Sequence, residues 1–251
     1  TYVNKMEPAT APLIPYAVSA QDIGYVSSPT HIPLGPWRSV DHSQHSFFTE
    51  SFIDEIAVAT GADAYKFRAG LLKNKPRHLA VLNRVAEKAQ WDSPLAKGRG
   101  RGIAIQESFG SIVAQVVDVT VSTGNLSVDR VVAVIDAGFA VSPDGITAQI
   151  ESGIIYGLSA ALYGEISIAN GAVVQSNFHD YQSVRITDAP VIETHILNSG
   201  AAWGGAGEPG TPPIAPALTN AIFNATGLRI RQLPIKNIDF LEKVELAKQV
   251  S

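Results

Sequence analysis

Glu208 stands in Gly204-Gly205-Ala206-Gly207-Glu208-Pro209-Gly210, just ahead of a run that begins Thr211-Pro212-Pro213-Ile214. Glycines permit backbone angles that other residues resist and let a ligand approach the main chain closely. A helix beginning a few residues later offers unpaired N–H groups and a positive dipole end. A carboxylate in this position either caps that helix or is held at a fixed distance from a bound group. Partial burial would raise the proton affinity of such a carboxylate toward that of a general base. Gly35-Pro36-Trp37-Arg38-Ser39 is a second candidate. An arginine beside a rigid aromatic suits an anion or a polar oxo group, or else simply stacks on Trp37 at the surface.

Other polar residues make weaker cases. His42 and His45 are three apart with His31 upstream, but no acidic triad at clean spacing joins them, so a structural or surface role is predicted. Asp118, Asp129 and Asp136 read as turn or strand-edge residues. Ser108-Phe109-Gly110-Ser111 lacks the GxSxG elbow, leaving a serine hydrolase little support. Gln149, followed by Glu151, falls opposite an isoleucine stripe and reads as a solvated helix face.

The elements that must position these residues are legible in outline. Residues 1–45 are broken by Pro8, Pro12, Pro15, Pro29, Pro33 and Pro36 and read as an extended arm carrying the Trp37-Arg38 loop. Residues 46–95 read as a helical segment. Phe48, Phe52, Ile56 and Ala59 fall on one face of a first helix. Asp63 caps a second, with Phe67, Leu71 and Leu72 inward. Pro76 opens a third, with Leu79, Leu82, Val85, Ala86 and Ala89 inward. Residues 92–102 read as a loop. Residues 96–235 read as an α+β portion. Strands are predicted over 112–121, 128–135 and 191–197, with a turn at Thr123-Gly124-Asn125 and a hairpin over 162–176 centred on Asn170-Gly171. Ser142-Pro143 begins a helix with Ile146, Ile150, Ile154 and Leu158 on one face. Another starts at Pro212 or Pro213 and ends at Gly227. Residues 236–251 form a tail that reads as a peripheral helix. The fold class is α+β, with mixed β-sheets packed with helices.

Composition narrows the field further. At 251 residues the chain can bury roughly 70–75% of its unfolded surface. Its 45% hydrophobic content excludes intrinsic disorder. No apolar run approaches the ~20 residues that cross a bilayer. With 19 Lys+Arg against 23 Asp+Glu the net charge is −4, which argues against a nucleic-acid partner. The absence of cysteine excludes disulfides, thiolate nucleophiles and iron–sulfur ligation within this chain. The first residue is Thr and no signal-peptide pattern follows it, so a processed or truncated product is expected.

Five long stretches, in order, carry a family resemblance. They are IPLGPWRSVDHSQHSFFTESFIDEIA, GRGIAIQESFGSIVAQV, DAGFAVSPDGITAQIESGIIYGLSAALYGEI, QSNFHDYQSVRITDAPVIETHIL and GEPGTPPIAPALTNAIFNATG. Together they resemble the carboxy-terminal portion of molybdenum hydroxylase large subunits, the xanthine dehydrogenase and aldehyde oxidase superfamily. The resemblance is to the isoquinoline 1-oxidoreductase β-subunit type, which includes bacterial aldehyde and nicotinate dehydrogenases. It spans about residues 15–235.

The resemblance implies a molybdopterin cofactor with molybdenum, in the cytosine dinucleotide form. It implies that Glu208 is the catalytic base beside the metal, and that Gly205, Ala206 and Gly207 line the metal site. Trp37, Arg38 and Ser39 would lie near the oxo ligands and pterin, and Gln149 near the pterin. The implied reaction is oxidation of aldehydes to carboxylic acids, or hydroxylation of N-heteroaromatic rings, with water as oxygen source. Electrons would pass to [2Fe-2S] clusters on a partner small subunit and on to a cytochrome, a quinone or another carrier. Relatives occur in the bacterial cytoplasm and, by twin-arginine export, in the periplasm.

Two departures stand out: Ser142-Pro143 where relatives often read Asn-Pro, and Glu151-Ser152-Gly153 where they read Glu-Gly-Gly. Neither is expected to touch the Glu208 loop. The family's Gly-rich phenylalanine loop and Met-Gly-Gln-Gly loop are absent from the sequence. The expectation is therefore a split, cleaved or partial large subunit, with another chain or segment supplying the amino-terminal half. The alternative reading is a non-catalytic structural or assembly module of such a complex.

Overall fold

Three helices come first in the chain: α1 (His42–Ala59), α2 (Ala64–Leu71) and α3 (Pro76–Lys88). Three long strands follow, β1 (Arg99–Ser108), β2 (Ser111–Ser122) and β3 (Asn125–Asp136). Then come α4 (Pro143–Tyr163), the short pair β4 (Ile168–Ala169) and β5 (Ala172–Val173), β6 (Val191–Leu197) and α5 (Ile214–Thr226). The computed structural model describes residues 14–22, 29–122 and 124–238. Much of the predicted arm (1–13 and 23–28), Thr123 of the predicted turn, and 239–251 of the predicted tail helix lie outside these residues.

The main sheet has the order β1-β2-β3-β6. Its first three strands form an antiparallel meander, and β6 joins β3 in parallel, Arg130 opposite Val191 through Asp136 opposite Leu197. A parallel neighbour needs a crossover, and α4 lies within it. Because side chains alternate along a strand, helices on both faces require both sets to be apolar. Val113, Val117, Val119, Val131, Ala133 and Ile135 pack beneath α4 and α5. Ile103, Ile105, Ile112, Ala114, Val116, Val132 and Val134 pack with residues of α1 and α3 and with Leu72. The near-continuous apolar run of β3 is thus buried on both faces, as its sequence predicts.

Three expectations about the elements need correction. First, Phe48 and Phe52 of α1 are 63% and 62% exposed, not inward. The buried face of α1 carries Phe47, Glu50, Ile53, Asp54 and Ala57, because two carboxylates turn in to meet the fully buried Arg68. Second, the predicted loop over 92–102 already contains the start of β1. Its alternating glycines face α5, where side chains have no room. A Cβ on Gly100 would clash with the Ala221 carbonyl, and one on Gly102 with the Ala217 carbonyl and the Ala221 amide. The glycine pattern that resembles a loop is what lets helix and strand touch. Third, the hairpin is centred correctly, with Asn170 and Gly171 both at positive φ, but its strands are only two residues each, since Leu162 and Tyr163 end α4.

The β1–α5 contact yields a prediction. Gly102→Ala forces a methyl group into helix backbone and is expected to cost about 1–3 kcal/mol, as overpacking does. Gly70→Ala, in α2 with open space around it, is the control and is expected to be neutral or mildly stabilising. Denaturant midpoints compare the two. Equal midpoints would mean that the close approach is not a constraint.

The other predicted elements stand close to where the sequence places them. Asp63 caps α2 by accepting from Lys66 N at 2.8 Å, and Gly227 closes α5 in the left-handed conformation at φ 76°. Ile150, Ile154 and Leu158 of α4 are fully buried. Asp118 is not an edge residue: it is buried on β2 and paired to Arg101 at 2.6 Å. Asp136 is a turn residue, its Oδ1 accepting from Gly138 N at 2.8 Å, and it is buried and paired to Arg77 at 2.6 Å. Among the described residues no helix is long and apolar enough to cross a membrane.

Candidate functional site

The loop over 200–213 joins β6 to α5 and is laid across the ends of two other elements. Gly204 N donates to Ala137 O at 3.1 Å, Gly205 N to Phe109 O at 2.8 Å, and Ser111 Oγ to Gly205 O at 2.6 Å. Deeper in, Gln115 Nε2 donates to Gly210 O at 2.7 Å from a buried position. On the other side α4 presents Gly153 to Gly210 and Gly157 to Thr211, where added side chains would crowd the loop backbone. A glycine-bearing helix face therefore lets the loop lie directly on α4.

Arg38 ties this assembly to the amino-terminal segment. Its Nε donates to Gly207 O at 3.0 Å, and Nη2 makes a further short bond to the same carbonyl. Nη1 donates to Ser152 Oγ at 2.9 Å, and Nη2 to Gln149 Oε1 at 3.0 Å and Gln149 O at 3.3 Å. The planar fork of donors is matched to four acceptor atoms on three residues, which a lysine could not reproduce. The guanidinium sits 5.8 Å from the Tyr156 ring, and Trp37 lies 5.0 Å from the same ring. Arg38 is thus neither a free anion ligand nor a surface residue stacked on Trp37. It is a clamp holding the loop to α4, and no hydrogen bond joins Trp37 to the loop.

Ser39 completes the junction. It is fully buried at φ 68°, in the left-handed region that costs energy for a residue with a side chain. That strain has a visible use. Ser39 N donates to Glu208 Oε1 at 2.9 Å, and Ser39 Oγ to Glu208 O at 2.7 Å. Both the backbone and the carboxylate of Glu208 are held by one residue. Among the described residues, Glu208 Oε2 has no hydrogen-bond partner, nor do the N–H groups of Ala206, Gly207 and Glu208. Glu208 does not cap α5, whose N-terminus has no side-chain cap.

The predicted site residues therefore converge. Arg38, Ser39, Gln149, Gly207 and Glu208 form one hydrogen-bonded unit, Gly205 anchors its base, and Trp37 braces Arg38 through Tyr156. Ala206 and Gln149 border a cavity of about 400 Å³ that is also lined by Phe139, Val141 and Trp203. Gln149 is exposed, as expected, but its Oε1 is taken by Arg38, leaving its NH₂ group as the available donor. Ser152, Tyr156, Ser111 and Gln115 were missed. Gln149, Ser152 and Tyr156 stand three and four apart along α4, a polar stripe that helical spacing alone could have exposed. Ser152, a departure from the family pattern expected to be remote from the loop, in fact binds the arginine that holds Gly207.

The residues present fit an anionic, oxygen-rich cofactor. Three loop N–H groups without a partner among the described residues and the Gln149 amide are available donors, and Gly205 and Gly207 leave the loop without side chains next to the cavity that Ala206 and Gln149 border. The unpartnered Glu208 oxygen is a proton acceptor in the same loop.

Comparison with known proteins places the chain in a family. The family model described as molybdopterin cofactor-binding domain matches residues 57–190. The isoquinoline 1-oxidoreductase subunit beta of Brevundimonas diminuta is 34% identical over 229 residues, covering 89% of this chain and 29% of that protein. A membrane-bound aldehyde dehydrogenase of Gluconacetobacter polyoxogenes, whose name carries pyrroloquinoline-quinone, is 36% identical over 230 residues, covering 83% and 30%. The chain thus spans under a third of the length of these relatives. In the solved structure of quinoline 2-oxidoreductase from Pseudomonas putida 86, the fold recurs with a TM-score of 0.71 at 12% identity, over 85% of this chain and 53% of that one. The chain belongs to the molybdenum hydroxylase family and is part of its molybdopterin cofactor-binding region.

Proposed function

We propose that this chain supplies the base-bearing part of a molybdenum-dependent oxidoreductase site. The observation that carries this reading is the state of Glu208. One carboxylate oxygen is pinned by the Ser39 N–H at 2.9 Å, and the other has no partner among the described residues, in a loop whose Ala206, Gly207 and Glu208 N–H groups are also unpaired. The N–H groups of Ala206, Gly207 and Glu208, together with Gln149, would hold the molybdopterin cofactor, in its cytosine dinucleotide form. When bound, that cofactor supplies the two-electron redox centre for oxidation of the substrate carbon. Glu208 Oε2 accepts the proton released as a water-derived oxygen becomes bonded to that carbon. The bond from Ser39 fixes the direction in which Oε2 faces, and Arg38 fixes the loop that carries it. Such pre-positioning of a base is worth as much as its basicity, because small displacements of reacting groups are costly.

The substrates proposed are aldehydes, giving carboxylic acids, and N-heteroaromatic rings, giving hydroxylated rings. The named relatives motivate both classes. Electrons then leave to [2Fe-2S] clusters on a small subunit and onward to a carrier such as a cytochrome. A further chain or segment supplies the rest of the cofactor pocket. We place the complex in a bacterial cytoplasm or periplasm. Replacing Glu208 by Gln tests the reading, since it keeps the shape and removes the base. Loss of turnover with molybdenum retained supports it, and near-normal turnover sinks it.

A further inference from the structure

His42 begins α1 three residues after Ser39, and its backbone N–H donates to Ser39 O at 3.0 Å. Its ring stands edge-on to Phe109 at 5.2 Å. Phe109 is itself a wall of the Glu208 loop. Its carbonyl accepts from Gly205 N, and its Cβ borders Gly205. The half-buried imidazole therefore shares a wall with the loop that carries Glu208 and lies within the electrostatic reach of that carboxylate. Glu107 also acts on the ring through its charge, and its carboxylate is paired to His78 at 3.1 Å. The pairing with His78 holds Glu107 below the usual carboxylate range, so it stays ionised.

We propose that His42 is the proton-exit residue of this site, taking from Glu208 Oε2 the proton that each turnover deposits there and passing it to solvent. The inference rests on the reading of Glu208 as the base. No hydrogen bond joins the two side chains, so the transfer runs through water. The O–H bond at Glu208 Oε2 breaks, an N–H bond forms on the His42 imidazole, and Glu208 is again a carboxylate. The imidazolium then loses its proton to bulk water, with Glu107 and Asp41 offsetting its transient charge. His42 does not touch the reacting atoms; it acts through Glu208.

The charges around the ring support the role. Burial pushes His42 below the ordinary histidine range and His45 adds to this, while Asp41, Glu208 and Glu107 pull the other way. The net result is a neutral ring at pH 7, which is the form able to accept a proton. As pH falls through this lowered pKa the ring fills, and turnover should fall with it.

The test uses the native complex. His42→Ala is expected to lower kcat roughly 10–100-fold at pH 7 with KM unchanged. Added imidazole should recover turnover, with an acid limb that follows the titration of the added base. A merely structural role would show neither the recovery nor the moved limb. Wild-type turnover in His42→Ala overturns the proposal. So does slow turnover that imidazole does not restore and whose pH profile keeps its shape. Should the alanine variant not assemble, His42→Gln takes its place. A readout that needs no turnover is exchange of the His42 ring C2 hydrogen, followed by mass spectrometry across pH. Its midpoint is expected below the ordinary histidine value and lower still in Glu208→Gln, because the carboxylate that favours the charged ring is gone. Equal midpoints in the two proteins overturn the proposal. Full activity in Glu208→Gln would instead remove the base reading itself, so the two failures are distinguishable.

Discussion

Glu208→Gln is expected to lower kcat by at least 10²–10⁴-fold, the usual contribution of a positioned general base. The fold and the loop should survive the change. Ser39 N can donate to the Gln amide oxygen as it does to Glu208 Oε1, and the bonds from Ser39 Oγ and Arg38 go to backbone carbonyls of Glu208 and Gly207. Cofactor occupancy and KM should therefore change little while kcat collapses. That combination marks the loss of an interaction made only in the transition state. A variant with intact occupancy and more than about a tenth of wild-type kcat would deny Glu208 its role as base.

The second large effect lies away from the site. Glu50→Ala is expected to destabilise the protein by about 3–5 kcal/mol, the usual cost of stranding a buried charge. Arg68 is fully buried, with Nε on Glu50 Oε2 at 2.8 Å and Nη1 3.4 Å from Asp54 Oδ1. Burial opposes its charge, but Glu50, Tyr16 and Asp54 outweigh that and hold it protonated. Glu50 also accepts from Tyr16 OH at 2.6 Å and from Ile105 N at 3.2 Å, and Asp54 pairs with Arg229 at 2.7 Å. Burial and the neighbouring Glu50 push the Tyr16 phenol well above its ordinary range, so it remains a donor. The network links the amino-terminal segment, α1, α2, β1 and Arg229 just after α5. Glu87→Ala, which removes one member of the exposed Arg84–Glu87 pair, is the control and should leave the denaturation midpoint near wild type. A Glu50→Ala midpoint no lower than that of Glu87→Ala would mean that the buried ions do not hold α1 in place.

This network explains where sequence reasoning fell short. Periodicity assigns the face of a helix by assuming that apolar residues turn inward. In α1 that rule favours Phe48 and Phe52, yet Glu50 and Asp54 are inside because Arg68, on another helix, is there to meet them. A partner distant in sequence cannot be read from one helix. β1 was hidden for a related reason. Glycines at 100 and 102 look like a loop until α5 is known to lie against them.

The strands β2, β3 and β6 and the buried stripe of α4 were legible because each is decided by its own local pattern. The candidate site was legible as two motifs, Trp37-Arg38-Ser39 and Gly207-Glu208, which the structure brings together, since their residue types are unusual in company. How they meet was not. That Arg38 clamps Gly207 O, and that Ser39 holds Glu208, depends on a backbone twist and on α4 lying between segments some 170 residues apart in the chain.

The measurement that bears most directly on the central claim is the molybdenum content of the native complex containing this chain, by elemental mass spectrometry. The account predicts about one molybdenum per copy of the chain, the metal being the redox centre that the loop N–H groups and Glu208 are proposed to serve. A complex with all chains intact, active, and free of molybdenum would contradict it. Recovery of pyrroloquinoline quinone in the metal's place would do so most plainly.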